Sequence, residues 1–187
     1  MTQRVCPWWI GYLLLSPLRR TLQDPKQILA PYVRAGMTVL EPGPGMGFFT
    51  LDIARLVGPS GRVVAVDVQS RMLDALLRRA AKAGLAERVA TRLAQPGGMG
   101  VGDLAGQADF ALAFAVVHEL PDARTFFAEA AASLRPGGAL LLAEPTGHVS
   151  AAAFEDELRA AAAAGLALQE RPTTRRSQAA LLTKAGG

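Results

Sequence analysis

Three groups of residues in this chain have the types and spacing to do chemistry. Glu41 stands directly before Pro42-Gly43-Pro44-Gly45-Met46-Gly47, a turn with glycine at alternate positions. Glycine there permits φ > 0 and lets a ligand lie against bare backbone, while the helix behind presents unpaired N–H groups to it. Asp67 lies about 20 residues beyond the last loop glycine, the separation at which a second-strand carboxylate accepts both hydroxyls of a ribose. The third group is His118-Glu119. An imidazole titrates near neutral pH and can take a proton from a hydroxyl or an acidic carbon, although a purely structural role, bonded to Glu119 or a backbone carbonyl, is open to it as well.

The spacing discriminates among nucleotide sites. A dinucleotide fingerprint reads G-x-G-x-x-G, and the position it would make glycine is Phe48 here. No Gly-Lys-Ser/Thr follows, so a phosphate-gripping P-loop is excluded. Glu41 would repel a pyrophosphate but can hold an ammonium group, directly or through water. His118-Glu119 lacks the second helical histidine of H-E-x-x-H, no Ser/His/Asp arrangement competes, and no metal site is expected.

The elements that must position these groups follow from the apolar pattern. Met37 to Leu40 suits a strand covered on both faces, and Phe48, Phe49, Leu51, Ile53, Ala54 and Val57 recur at helical spacing up to the stop Gly58-Pro59-Ser60-Gly61. Before them, Asp24-Pro25 starts a short helix towards Val33. Arg62–Asp67 is a second strand. Ser70 then caps a helix from Arg71 to about Ala83, with Met72, Leu73, Leu76 and Leu77 as its buried stripe and Arg78, Arg79 and Lys82 solvated. Val89–Leu93 is a third strand, and the glycines from Gly97 to Gly106 predict a mobile loop. Asp109–Ala115 is a fourth strand that delivers Val116-Val117-His118-Glu119 to the ligand-binding end of the sheet. Asp122 caps a helix carrying Phe126, Phe127, Ala130 and Leu134. Arg135-Pro136-Gly137-Gly138 turns into a fifth strand, Ala139–Pro145; a helix from Ser150 to Ala164 and strands Leu166–Glu170 and Ala179–Thr183 close the chain.

Glu41-Pro42-Gly43-Pro44-Gly45-Met46-Gly47 resembles the first motif of the class I S-adenosylmethionine-dependent methyltransferases, an acid followed by GxGxG, over a region of similarity from about residue 25 to 184. The resemblance implies an α/β fold: a Rossmann-like, doubly wound seven-stranded sheet, mostly parallel with a C-terminal antiparallel hairpin. It implies S-adenosylmethionine as cofactor, bound by Glu41, Gly43, Pro44, Gly45 and Gly47, with Asp67 on the ribose, Val68 packing on adenine and Gln69 beside them. The family usually places an acid after the third strand for the adenine amino group; Gln95 stands there instead, with Asp103 within the loop. Ala115 and the His118-Glu119 pair fall where residues face the methyl group and the acceptor, which makes His118 and Glu119 the catalytic candidates. An obligatory catalytic triad is not expected, because the donor is already activated and alignment does most of the work.

Composition narrows the acceptor. Fifty per cent hydrophobic and nineteen per cent charged residues describe a soluble globular chain of one domain. The net charge of +4 is mostly arginine, interspersed with acids, so nucleic acid is not favoured, and Arg171, Arg175 and Arg176 read as a solvated loop. Cys6 is the single cysteine, which fits a reducing cytoplasm and does not fit an arsenite methyltransferase. Ala115-Val116-Val117-His118 is not the Asn/Asp-Pro-Pro-Tyr/Phe of many RNA methyltransferases. The small size, the apolar segment 5–18 and the His118 region resemble the quinone-biosynthesis-like group, acting on small or lipophilic molecules. Residues 1–23 are expected to form an arm or lid helix ahead of a methyltransferase domain over 24–187. A competing reading makes Trp8, Trp9, Tyr12, Arg19 and Arg20 a peripheral membrane contact. The oligomeric state is not legible. A non-catalytic S-adenosylmethionine binder and an NAD-dependent oxidoreductase are the alternatives from other classes; the latter lacks its glycine spacing and its Tyr/Lys pair.

Overall fold

The computed structural model describes residues 23–186. Both readings of the N-terminal arm fall outside the described residues. Seven strands form one sheet, in the order Val89–Leu93, Arg62–Asp67, Thr38–Pro42, Ala108–Phe114, Leu134–Pro145, Ser177–Lys184, Leu166–Glu170. The chain divides into two compact units, one ending at Gln95 and the other beginning at Pro96.

The first unit holds β1 (Thr38–Pro42), β2 (Arg62–Asp67) and β3 (Val89–Leu93), with α1 (Pro25–Leu29), α2 (Thr50–Leu56) and α3 (Ser70–Lys82) between and before them. Both ladders are parallel, with Leu40 opposite Val64 and Val66 opposite Arg92. Val39, Leu40, Val63 and Ala65 are fully buried, as a β-branched and aliphatic run covered on both faces should be. Asp24 caps α1 by accepting the Lys26 N–H, and Pro25 opens the helix at no cost because its missing donor would be orphaned there. On α2, Ile53 and Ala54 are fully buried; a side chain the size of Ile53 contributes roughly 1.5–3 kcal/mol in this way.

Three details of α3 depart from expectation. Ser70 is the first helical residue rather than the cap, because the Asp67 carboxylate takes the Gln69 N–H at 2.9 Å and so turns the chain one residue earlier. Leu77 is 38 % exposed, and Ala75 and Ala80 complete the buried stripe in its place. Arg79 is half-buried and donates to the Met46 carbonyl, so one supposedly solvated cation braces the glycine turn.

The second unit holds β4 (Ala108–Phe114), α4 (Ala123–Ser133), β5 (Leu134–Pro145), α5 (Ala151–Ala163), β6 (Leu166–Glu170) and β7 (Ser177–Lys184). β4 and β5 run parallel, while β5–β7 and β6–β7 are antiparallel. Asp122 caps α4 through the N–H groups of Arg124 and Thr125, and Ser150 caps α5 through Ala153. Phe126 and Phe127 meet edge to face, centroids 5.2 Å apart. β5 begins at Leu134, through the Arg-Pro-Gly-Gly segment, because Leu134 pairs with Ala108 before the register shifts to Phe110 and Ala139.

The glycine-rich stretch after β3 is more anchored than its composition suggests. Met99, Val101 and Leu104 are buried, and the Glu129 carboxylate accepts the Met99 N–H at 2.7 Å.

Candidate active site

In the first unit, β1 carries Glu41 to its end, the chain turns through Gly43 to Phe49, and α2 begins at Thr50. Gly43, Gly45 and Gly47 all have positive φ. In two of them the missing side chain has different consequences. A Cβ on Gly47 would stand 2.3 Å from Leu76 Cδ1, so this glycine lets α3 pack against the turn. A Cβ on Gly45 would meet nothing within 4 Å, which leaves an open face of bare backbone.

Asp67 ends β2 and is buried. Its Oδ1 accepts the Gln69 N–H at 2.9 Å and its Oδ2 the Gly45 N–H at 3.3 Å, tying the strand end to the glycine turn. Burial raises its pKa, and the backbone N–H groups of Gln69, Gly45 and Val68 oppose the rise. Val68, the next residue, is 47 % exposed. Gln69 is half-buried, Gln95 is exposed, Pro44 is buried and Gly43 is exposed.

Glu41 is the electrostatic anomaly of this unit. Its carboxyl is buried, and Oε2 has no hydrogen-bond partner. Burial pushes its pKa up to about 8; the Thr50 hydroxyl opposes the rise, and Asp67 adds to it. An orphaned buried oxygen of this kind costs about 1–3 kcal/mol until a donor reaches it.

In the second unit β4 ends at Phe114, and Ala115 turns the chain with φ 56, its N–H donating to the Ala143 carbonyl at 2.7 Å. A non-glycine residue in this region is uncommon and strained. The compensation is visible. Glu144, one residue beyond Ala143 and fully buried, accepts the Val116 and Val117 N–H groups on Oε1 at 3.2 and 2.7 Å, and meets His118 Nδ1 through Oε2 at 2.5 Å. One carboxylate therefore fixes both the turn and the imidazole.

His118 pairs with Glu144, not with Glu119 or a backbone carbonyl. Its pKa is raised: the hydrogen bond to Glu144 raises it most, burial lowers it, and the charges of Glu144, Glu119 and Glu157 raise it further. In the neutral ring, with Nδ1–H donating to Glu144, Nε2 carries the lone pair. The His148 and His118 rings form a T-shaped pair, centroids 5.7 Å apart and planes at 76°. Glu119 is half-buried in the same turn.

Glu144 and Glu157 are the residues that sequence reasoning did not single out. Both left a signal. Glu144 is an acid at the carboxyl end of an apolar strand, as Glu41 and Asp67 are. Glu157 sits on the buried stripe of α5 with Phe154, Leu158 and Ala161, where the helical period calls for an apolar residue. No group of His, Cys, Asp and Glu fit to hold a metal occurs among the described residues, and no described helix is long and apolar enough to cross a membrane.

Comparison with known proteins gives the family and the fold. Residues 39–138 match the family described as Methyltransferase domain. The chain is 32 % identical over 136 residues to the arsenite methyltransferase of Halobacterium salinarum, covering 73 % of this chain and 33 % of that protein. It is 37 % identical over 150 residues to the ribosomal protein L11 methyltransferase of Pelotomaculum thermopropionicum, covering 78 % and 43 %. The chain thus spans less than half the length of either relative. Among solved structures, a SAM-dependent methyltransferase from Aquifex aeolicus superposes with a TM-score of 0.84 at 23 % identity over 96 % of this chain and 99 % of its own, which speaks to the fold alone. With a matching family model over more than half its length and the seven-stranded sheet of that fold, the chain belongs to the class I S-adenosylmethionine-dependent methyltransferases.

Proposed function

We propose that this chain transfers the methyl group of S-adenosylmethionine to a small or lipophilic acceptor, with His118 taking the acceptor's proton. The observation that carries the cofactor half is the glycine turn with its two acids: Gly45 leaves open space, and Glu41 keeps a buried oxygen without a partner. These residues suit the ligand. Asp67 would hold the ribose hydroxyls, Val68 would offer its exposed face to adenine, and Glu41 would receive the ammonium of the amino-acid tail, with Gly43, Pro44, Gly47, Gln69 and Gln95 around them. When bound, S-adenosylmethionine supplies a methyl group already activated by a positively charged sulfur. The protein's contribution is then alignment, worth up to roughly 7–11 kcal/mol in well-oriented systems, together with proton removal.

The acceptor half rests on His118, whose ring orientation is set by a buried carboxylate. A base contributes roughly 10²–10⁴-fold. Because its pKa is raised, the free-base form grows only as pH climbs above the ordinary imidazole range. Arsenite is disfavoured as acceptor, although one relative bears that name, since Cys6 is the chain's single thiol.

The test is direct. Calorimetry should show S-adenosylmethionine or S-adenosylhomocysteine binding more tightly than NAD, and His118→Asn should lower kcat by roughly 10²–10⁴-fold while leaving cofactor affinity near wild type. Tighter NAD binding would overturn the cofactor half. A loss under about tenfold with an unaltered pH profile would reduce His118 to structure.

A further inference from the structure

We propose that Glu157 binds the methyl acceptor and that the acceptor is an amine, held as its ammonium on Glu157 and deprotonated by His118. This rests on the methyl-transfer reading above and names the substrate class for it. Glu157 is only 9 % exposed, and its Oε2 is buried without a hydrogen-bond partner. It occupies the apolar stripe of α5, where an uncharged residue would pack at no desolvation cost. A buried carboxyl kept in such a place has a use for its free oxygen.

The rest of the cluster shows which use. Both oxygens of Glu144 are engaged, Oε1 by the Val116 and Val117 N–H groups and Oε2 by His118, so Glu144 has no oxygen left without a partner. Glu157 interacts electrostatically with Glu144 and His118; burial pushes its pKa up to about 7, Glu144 raises it and His118 lowers it. The charged and titratable groups about His118 among the described residues are Glu119 on its own turn, Glu144 from β5, Glu157 from α5 and the His148 ring. Acids outnumber the imidazoles that face them. A carboxylate or phosphate acceptor would be repelled, and an alcohol would bring one neutral donor. An ammonium brings three donors and the charge that a desolvated carboxylate lacks.

The step balances. R–NH₃⁺ on Glu157 gives one proton to His118 Nε2, while Nδ1–H stays with Glu144. The freed lone pair forms the N–CH₃ bond as the methyl–sulfur bond breaks, its electron pair remaining on sulfur. The imidazolium then returns its proton to water.

The experiment uses the full chain and a small probe, methylammonium chloride, against sodium chloride at equal ionic strength. The His118 ring is titrated by NMR in wild type and in Glu157→Gln. Methylammonium should lower the His118 midpoint in wild type through the added like charge, and leave Glu157→Gln unmoved. The same midpoint in both salts, or the same response in the variant, would overturn the proposal. A second arm offers labelled S-adenosylmethionine with separate pools of primary amines, alcohols and thiols. Product should come from the amines, with KM raised roughly tenfold or more in Glu157→Gln and cofactor affinity unchanged. Methylated alcohols or thiols, or amines handled equally by the variant, would also overturn it. Failure of transfer to every pool, with the NMR response intact, would sink the methyl-transfer reading and leave Glu157 as an ammonium site.

Discussion

Asp67 and Glu41 close the same turn, yet their environments differ. Asp67 already accepts two backbone N–H groups, so its carboxylate is oriented before any ligand arrives. Asp67→Ala should therefore cost about 1.5–3 kcal/mol of S-adenosylmethionine affinity, the worth of hydrogen bonds to a charged group, as measured by calorimetry. Glu41 is not prepaired, and with a pKa near 8 it is mostly protonated at neutral pH. An ammonium docking on it would favour the ionised form, so binding at about pH 7 should release close to one proton through linkage. Calorimetry in two buffers of different ionisation enthalpy reads that proton, and Glu41→Gln should abolish the difference. A buffer-independent binding enthalpy in wild type would mean that the ligand does not reach Glu41. The acid before the glycines was legible in sequence because the motif that marks it is local, seven consecutive residues from Glu41 to Gly47. The His118–Glu144 pair was not, since those residues stand 26 apart in the chain.

Their meeting belongs to the elements. In the parallel ladder Phe114 lies opposite Ala143, so the next residue on each strand, Ala115 and Glu144, emerge side by side. Strand type can be read from an apolar run, and β2, β3 and β6 lie where the pattern puts them. Register between two buried strands cannot be read this way, because both faces are apolar and no alternation pins the pairing. The loop after β3 misleads for another reason: its glycines advertise freedom, while Met99, Val101 and Leu104 between them are buried. The glycine turn offers a test at this scale. Gly47→Ala adds a Cβ to a φ of +83 and drives it into Leu76, so it should destabilise the fold by about 1–3 kcal/mol. Gly45→Ala meets open space at φ +53 and should cost about 1–2 kcal/mol through left-handed strain alone, while weakening cofactor binding by filling the open face. Denaturation curves and calorimetry on the two variants separate packing from access. Equal stability with unchanged affinity in both would refute the division of labour.

At the scale of the whole molecule, the shifted groups that are buried or partly buried among the described residues act in one direction. Glu41 rises from 4.5 to about 8 and Glu157 from 4.5 to about 7, both chiefly through burial; Asp67 is also raised by burial, and His118 by its bond to Glu144. For each of these groups the folded state binds its proton more tightly than the unfolded chain does. Between the unfolded and folded pKa values the folded protein therefore holds more protons, and stability falls as pH rises. Asp122 runs the other way, its pKa lowered by the bonds of the α4 cap, but it is fully exposed and acts at the acid end. The unliganded chain should thus lose stability as pH rises from about 4.5, the ordinary value of both glutamates, through about pH 8. A change of 1 kcal/mol moves Tm by roughly 2–4 °C in a chain of this size, so melts followed by circular dichroism should drop by several degrees over that window. Glu41→Gln and Glu157→Gln should each flatten the decline and raise Tm at pH 8, because each removes a buried charge whose desolvation outweighs what Thr50 and His118 return to it, with one oxygen of each left without a hydrogen-bond partner. Saturating S-adenosylmethionine should flatten the Glu41 share in the same way, by giving the ionised carboxylate a partner. A Tm that is level or rises from pH 5 to 8 would mean that these carboxylates find donors in solution, and the reading of Glu41 and Glu157 as oxygens awaiting ligands would fall with it.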